Sequence, residues 1–380
     1  MRITIIQGPF LPVPALRGGA VEKACFALGQ EWARRGHAVT HVSRRFPGLP
    51  DSEEIAGVQH LRVASRDAPS GALAFRLAEA RYGLRALRVL PPADVLLMNS
   101  VVLPLLVRDR RRGLPVYRVG RPPKGQFRLY PRLGWPVAVS RAVAAAIERE
   151  APAFAGRVAA IGGPVTPAFH PLAADELGER PPRLLYVGRL HPEKGLHLLI
   201  EAFARLAESA PQWQLAIVGP HEVAAGGGGT AYLERLRRLA APLGARVEFV
   251  GPLYDEAQLR ARYREASLFC YPSLAERGEG LSVAPMEAMA MGTVPLLSGL
   301  DCFDDYLEPG VSGFRFDHRA ADPVAALAAA LAPLLGGAVD LAPLRRRVLE
   351  VAAGFTVEAC AERYLAVFER ALAAADRRQG

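Results

Sequence analysis

Tyr186–Phe203 reads YVGRLHPEKGLHLLIEAF, a stretch in which an apolar strand turns into a helix. Two basic residues, Arg189 and Lys194, stand five positions apart at that turn. Only three of the chain's 47 basic residues are lysines, so a lysine at this place is a departure from the chain's own habit. In a doubly wound sheet, ligands bind beyond the carboxyl ends of the strands, and Arg189, directly after LLYVG, emerges at that edge. Lys194 is expected at the opening of the next helix, where free N–H groups and the helix dipole favour negative charge. An arginine fork grips phosphate oxygens in pairs and a lysine adds a compact point charge, so together they suit a diphosphate. A solvated loop charge pair is the plain alternative at this spacing.

Working outward, short apolar runs alternate with helical stretches from end to end. The first half carries ITIIQ, AVTHVS, VQHLRVAS, DVLLMNS, PVYRVG, WPVAVS and RVAAIG, with helices expected at Ala20–Arg35 and Ala72–Leu90. A proline-bearing stretch, Gly163–Pro182, interrupts the pattern. It resumes with RLLYVG, QLAIVG, VEFVG, SLFCYPS and TVPLLS, and from Ala321 the chain reads as almost wholly helical. Repeated βα units imply parallel sheets covered on both faces. Two such series imply an α/β chain of two Rossmann-like domains facing across a cleft, in keeping with 380 residues. The run Gly226–Gly229 has the composition of a flexible loop and lacks the Lys-Ser/Thr of a phosphate cradle.

Composition narrows the functional classes. Hydrophobic residues make up 51% of the chain, enough for full cores, yet no apolar run approaches the ~20 residues needed to cross a bilayer. The first ten residues read as a strand rather than a leader, and Cys25, Cys270, Cys302 and Cys360 are too scattered for structural zinc or a disulfide framework. A cytoplasmic location is the expectation. Residues 1–170 hold 25 Lys+Arg against 11 Asp+Glu, and the rest hold 22 against 27. The basic N-terminal half, densest at Arg108, Arg110, Arg111 and Arg112, suits an anionic membrane face or a phosphorylated acceptor. A merely solvated Arg-rich face is the plain alternative, because the run lacks the interleaved aromatics of a single-strand nucleic-acid binder, and no nucleic-acid partner is expected.

Two further stretches carry polar chemistry. In PSLAERGEGLSVAPMEAMAMGTVPLLS (Pro272–Ser298), Glu279 and Glu287 bracket a loop running into a helix that Gly292 ends. Backbone N–H groups there can approach a phosphate while the carboxylates accept from sugar hydroxyls. A solvent-facing Glu279 and a helix-capping Glu287 are the plain alternative. In Arg17–Ser43, Gly18 and Gly19 open the first helix and admit a bulky ligand near the backbone, or form an ordinary turn.

Together, the GR-x4-KG of Gly188–Gly195 and the Glu-x7-Glu of Glu279–Glu287 resemble the paired donor-site motifs of retaining glycosyltransferase family 4. So do PMEAMAMGTVPLLS, GGAVEKACFALGQEWARRGHAVTHVS, WPVAVSRAVAAAI, EPGVSGFRFD and FTVEACAERYLAVFERAL, in the expected order. The resemblance implies the GT-B fold: residues 1–168 as acceptor domain, 169–357 as nucleotide-sugar domain, and 358–380 as a helix crossing back. It implies that Arg189 and Lys194 hold the donor diphosphate, Glu287 the ribose and Glu279 the transferred sugar, with Arg189, Lys194 and Glu279 catalytic. Gly18, Gly19, Gly188, Gly219, Gly280, Leu281, Ser282 and Val283 would complete the donor site, with Leu253 flanking the base. Asn99, Ser100 and Arg121 fall on the acceptor side. Family members often carry a histidine where this chain has Asn99 and Ser100, and Gly-Phe-Gly where it has Gly280-Leu281-Ser282.

The implied activity is transfer of a sugar from a nucleoside diphosphate sugar, UDP ranked first and GDP second, with retention of configuration. The acceptor would be a glycan, a lipid-linked glycan or a small molecule of cell-envelope synthesis. No metal and no cofactor are expected, because two basic side chains take the task of a metal. A nucleotide-sugar-binding partner subunit without catalysis, and an epimerase or hydrolase of the same architecture, are the rival readings.

Overall fold

The computed structural model describes residues 1–276 and 278–377, which fall into two compact units, Met1–Thr166 with Val357–Gly380, and Pro167–Thr356. The N-terminal unit runs β1 (Arg2–Ile6), α1 (Ala20–Arg34), β2 (Ala38–Arg44), β3 (Ser52–Ile55), β4 (Val58–Val63) and α2 (Ala72–Val89). It continues with β5 (Val95–Met98), α3 (Leu103–Leu106), β6 (Leu114–Val119), β7 (Trp135–Ala138), α4 (Arg141–Glu150) and β8 (Ala159–Ala160). Its strands lie in the order β3-β4-β2-β1-β5-β6-β7-β8, all parallel except the β3–β4 pair. Strands such as β5, VLLM, are buried at every position, which is why they read as unbroken apolar runs. The order doubles back between β1 and β5, and a crevice for ligands is expected there.

The C-terminal unit begins with β9 (Arg183–Val187), α5 (Leu196–Arg205), β10 (Gln214–Val218), α6 (Gly229–Ala240) and β11 (Val247–Gly251). There follow α7 (Glu256–Glu265), β12 (Leu268–Tyr271), α8 (Val283–Ala290), β13 (Val294–Ser298), β14 (Phe314–Phe316), α9 (Pro323–Leu335) and α10 (Ala342–Ala353). The six strands are parallel in the order β11-β10-β9-β12-β13-β14, with the reversal between β9 and β12. These two central strands pair only at Leu184–Leu268 and Leu185–Phe269, so their carboxyl ends are free to diverge. Side-chain caps fix the helix starts: Asp255 accepts from Ala257 and Gln258, and Asp322 from Ala325.

The last helix, α11 (Val357–Asp376), belongs to the N-terminal unit and shares its core. Tyr364 and Phe368 meet Trp32 of α1 edge to face at 5.8 and 5.4 Å, and the Trp32 indole N–H donates to the Ala361 carbonyl at 3.2 Å. The four cysteines are buried and unbonded. No helix among the described residues is long and apolar enough to cross a membrane.

Candidate functional site

The β9–β12 divergence is where the two motifs meet. Arg189 leaves β9 through Gly188, a one-turn helix covers Pro192–Lys194, and Gly195 leads into α5. Lys194 therefore stands directly ahead of Gly195, the N-cap residue of α5, at the opening of that helix. Gly195 has φ of +68°, and a Cβ there would lie 2.0 Å from the Pro272 carbonyl oxygen. Only glycine lets the loop after β9 close on the loop after β12. A second close approach binds the strand ends, since a Cβ on Gly219 would lie 1.9 Å from the Gly188 carbonyl oxygen.

Packed this way, the loops bring together residues 85 positions apart: Lys194 Nζ donates to Glu279 Oε2 at 2.5 Å. Their side chains are 7% and 10% exposed, so this is a buried ion pair and Glu279 does not face solvent. Three hydroxyls complete the carboxylate's surroundings, Ser282 Oγ at 2.5 Å, Ser273 Oγ at 3.0 Å and Tyr271 Oη at 3.5 Å. Tyr271 stacks on Tyr186, and its ring lies 5.4 Å from Lys194 Nζ. Burial alone would raise the Glu279 pKa, but the Lys194 charge and the donated hydrogen bonds outweigh it and hold the group below its ordinary range. For Lys194, burial pulls the pKa down while Tyr271 and Glu279 push it up, with a net rise. Burial, then the charge of Glu279, pushes the Tyr271 phenol up to about 12. The site thus holds a charged ammonium and a charged carboxylate in one place across the neutral range.

The other expected residues of the C-terminal unit make contacts of their own. Half-exposed Arg189 donates to the Gly226 carbonyl at 2.7 Å and to Glu193 Oε1 at 3.0 Å. The glycine run is fixed rather than flexible, since Gly227, Gly228 and Gly229 N–H groups donate to the carbonyls of Glu222, Leu190 and His221. Gly280 is buried, Leu281 is half-buried, and Ser282 and Val283 open α8. Ser282 holds the N-cap position yet gives its hydroxyl to Glu279, so no side chain caps the amides of α8. Glu287 sits in the second turn of α8, which rules out a capping role, and accepts from Tyr263 Oη at 2.9 Å. Leu253 follows Gly251, whose carbonyl accepts from Gly219, and the next residue, Tyr254, is fully presented to solvent.

Sequence reading misses Tyr271, which ends β12, and Ser273, two residues beyond it, although both lie at the ligand edge of a parallel sheet, the signal that marks Arg189. Among the described residues no group of three or more His, Cys, Asp or Glu could hold a metal ion.

The remaining expected positions lie in the N-terminal unit. Gly18 and Gly19 have φ of +74° and +106° at the start of α1. Asn99 follows β5 and donates from Nδ2 to Cys25 Sγ at 3.3 Å and Gln7 Oε1 at 3.4 Å. Ser100 is committed to Glu79 at 3.0 Å. Arg121 and Asn99 line one cavity of about 500 Å³ with Arg118, a residue of the otherwise apolar strand β6.

Residues 173–338 match the model of the family Glycosyl transferases group 1. Over 172 residues the chain is 33% identical to the phosphatidyl-myo-inositol mannosyltransferase of Mycobacterium tuberculosis, covering 45% of this chain and 41% of that protein. Over 143 residues it is 36% identical to the glycogen synthase of Thermus thermophilus, covering 38% and 30%. The match thus spans about two fifths or less of these relatives. In fold, the sucrose-phosphate synthase of Thermosynechococcus elongatus is similar at a TM-score of 0.75 with 21% identity, covering 98% of this chain and 100% of that one. Anabaena HepE in complex with UDP and glucose gives 0.70 with 17% identity, covering 97% and 100%. Residues 173–338 are thus similar to the glycosyl transferases group 1 family, within a chain whose fold is GT-B.

Proposed function

We propose that this protein is a glycosyltransferase that moves a sugar from a nucleoside diphosphate sugar to an acceptor hydroxyl with retention at the anomeric carbon. The observation that carries the reading is the buried Lys194–Glu279 pair at the strand-order reversal of the C-terminal unit, with Arg189 leaving β9 at the same edge. One Lys194 N–H is given to Glu279, and its remaining donor capacity together with the uncapped amides of α8 would serve diphosphate oxygens. Glu279 fixes the lysine and accepts from hydroxyls of the sugar, while Glu287, held by Tyr263, accepts from the ribose.

In the reaction the bond between the anomeric carbon and the diphosphate oxygen breaks, and its electron pair stays on the diphosphate. The acceptor oxygen bonds to the same face, and its proton passes to the departing diphosphate. Arg189 and Lys194 stabilise the charge that grows on that group, a form of catalysis that is most effective where donors are held in place. UDP is the first candidate base carrier, as in the HepE complex, and GDP the second. Because two basic side chains serve the diphosphate, activity is expected to persist in a chelator.

The test is binding of UDP, GDP, ADP, CMP and dTDP to the protein and to Arg189→Ala, followed by transfer assays with the donor so found. One nucleotide should stabilise the protein by about 2.7 kcal/mol at 100 times its dissociation constant, and the variant should lose the effect. Lys194→Ala should cut turnover by orders of magnitude. Sugar transfer rules out a binding subunit, and transfer exceeding hydrolysis rules out a hydrolase; absence of any nucleotide effect refutes the proposal.

A lipid-linked acceptor at an anionic membrane fits the basic N-terminal unit. The outer face of α2 presents Leu73, Leu77 and Leu84 to solvent among exposed Arg81, Arg85 and Arg88. Co-sedimentation with phosphatidylglycerol vesicles should weaken with rising salt, and failure to bind at low salt removes this part.

A further inference from the structure

The described residues between β12 and α8 form no helix or strand, yet this loop carries Glu279. The position of that carboxylate is therefore set by a few contacts on the two sides of the loop. On the β9 side, the Leu274 N–H donates to the Glu193 carbonyl at 2.7 Å, and Lys194 meets Glu279 itself. On the other side the loop is held through Glu276, by residues that follow β13 and β14. The Gly299 N–H donates to His318 Nδ1 at 3.1 Å, which in the neutral ring leaves the proton on Nε2. His318 Nε2 then donates to Glu276 Oε1 at 2.8 Å. Arg319 donates to the same carboxylate through Nε at 2.7 Å and Nη2 at 2.9 Å, and through Nη1 to the Gly299 carbonyl at 2.9 Å.

Burial decides which of these contacts matters most. The His318 side chain is 3% exposed, while Glu276 and Arg319 are about half exposed. An exposed ion pair contributes little, whereas a buried ring with both nitrogens satisfied leaves groups unmet when it is removed. The hold reaches the donor site through one peptide unit. Ala275, next to Glu276 and buried, accepts at its carbonyl from the Glu279 N–H at 3.0 Å and the Gly278 N–H at 3.1 Å. We propose that His318 is a positioning residue of the donor site: by fixing Glu276 it keeps the loop after β12 in the shape that presents Glu279 to Lys194 and to the transferred sugar. The link to the sugar rests on the transferase reading above; the hold on the loop does not.

The experiment is calorimetric titration of the full chain with UDP-glucose, GDP-mannose, UDP and GDP. For the donor that binds, His318→Ala should raise Kd about tenfold, the worth of a buried hydrogen bond whose partner is left unmet, with the number of sites per chain unchanged. The free nucleotide, which lacks the sugar, should lose no more than about threefold. A residue that only supported the fold would reduce the number of sites and leave the Kd of the rest as it was. Glu276→Ala should match His318→Ala, and the double variant should be no weaker than either single one, because both remove the same interaction. Glu276→Gln keeps an acceptor for Nε2 and should stay within about threefold of the native protein, as should Arg319→Met, which removes only the exposed arm. Glu276 is half exposed, so its variants keep the test valid where the buried histidine cannot be replaced. An unchanged donor Kd in His318→Ala and Glu276→Ala overturns the proposal, as does an additive double variant or an equal loss for the free nucleotide. Where neither donor binds, the nucleotide panel judges the transferase reading, and hydrogen exchange at the Gly278 and Glu279 amides judges the hold on the loop. Faster exchange in His318→Ala upholds it, and equal exchange overturns it.

Discussion

Replacing Lys194 with methionine keeps the stem of the side chain and deletes its charge. What remains is a carboxylate, Glu279, in a site only 10% exposed, with hydroxyl donors at Ser282 and Ser273 but no cation. Breaking a buried pair in this way costs about 3–5 kcal/mol, and the surviving hydroxyls place this case near 3. At about 1.4 kcal/mol per factor of ten, amides of β9 and α5 that exchange through opening of this region should exchange about a hundredfold faster. The effect has a sign in pH. In the native protein the Glu279 pKa lies below its ordinary value, so its contribution is present above the unfolded carboxylate value and fades as pH falls through the folded one. In Lys194→Met burial is no longer offset and the folded pKa rises, so the variant is most destabilised at high pH and recovers as Glu279 takes up a proton. Hydrogen exchange read by mass spectrometry at about pH 8 and about pH 5, each against native protein, should show the larger loss at the higher value. Lys194→Met/Glu279→Gln should restore most of the protection, because removing both charges leaves none unpaired. A cost below about 1 kcal/mol, the range of exposed pairs, or an equal cost at both pH values, refutes the account of the site.

Three further outcomes follow from the same coordinates. Gly195→Ala places a Cβ against the Pro272 carbonyl at a φ of +68°, and the backbone alone costs roughly 1–2 kcal/mol. Its Tm should fall by at least about 4 °C with loss of transfer activity, and an unchanged Tm would show that the loops part freely. Tyr263→Phe removes the 2.9 Å hydrogen bond to Glu287 and should raise KM for the donor about three- to tenfold with little change in kcat; the reverse pattern would place Glu287 in the chemistry. In the N-terminal unit, burial and then the charge of Arg62 hold the His60 pKa down to about 4. The unfolded state therefore binds the extra proton first, and stability of that unit should fall between about pH 6.5 and 4, a slope that His60→Gln flattens.

The strands at the centre of both sheets were legible because strands buried on both faces leave apolar runs such as VLLM and RLLYV. The edge strand β3, SEEI, left no such trace, since Ser52, Glu53 and Glu54 face solvent or half-face it and its single neighbour is antiparallel. Arg189 was visible as the first residue after a strand, because the ligand edge of a parallel sheet is set by chain direction alone. The partner of Lys194 was not, because sequence separation says nothing about which strands are neighbours. Only the placement of β9 beside β12 brings Glu279 within 2.5 Å. Likewise the contact that claims the Ser282 hydroxyl exists only in the folded chain. Arg118 was hidden by its setting in PVYRVG, where one charge in an apolar run looks like an outward-facing strand residue.

The two units solve the same topological problem with opposite charge arrangements. Each gathers polar groups where its strand order reverses, as ligand sites in doubly wound sheets do. In the C-terminal unit the buried cation is already met by Glu279, so a diphosphate entering there finds a site close to neutral. Its binding must rest on the geometry of fixed donors, which salt affects weakly. In the N-terminal unit Arg121 and Lys124 have no ion-pair partner among the described residues and buried Glu22 acts on Arg118, so on the proposed reading recognition of an anionic acceptor is carried by charge itself. Raising ionic strength should therefore increase KM for an anionic acceptor far more than KM for the donor. A parallel rise in both would mean that the two sites draw on the same charges.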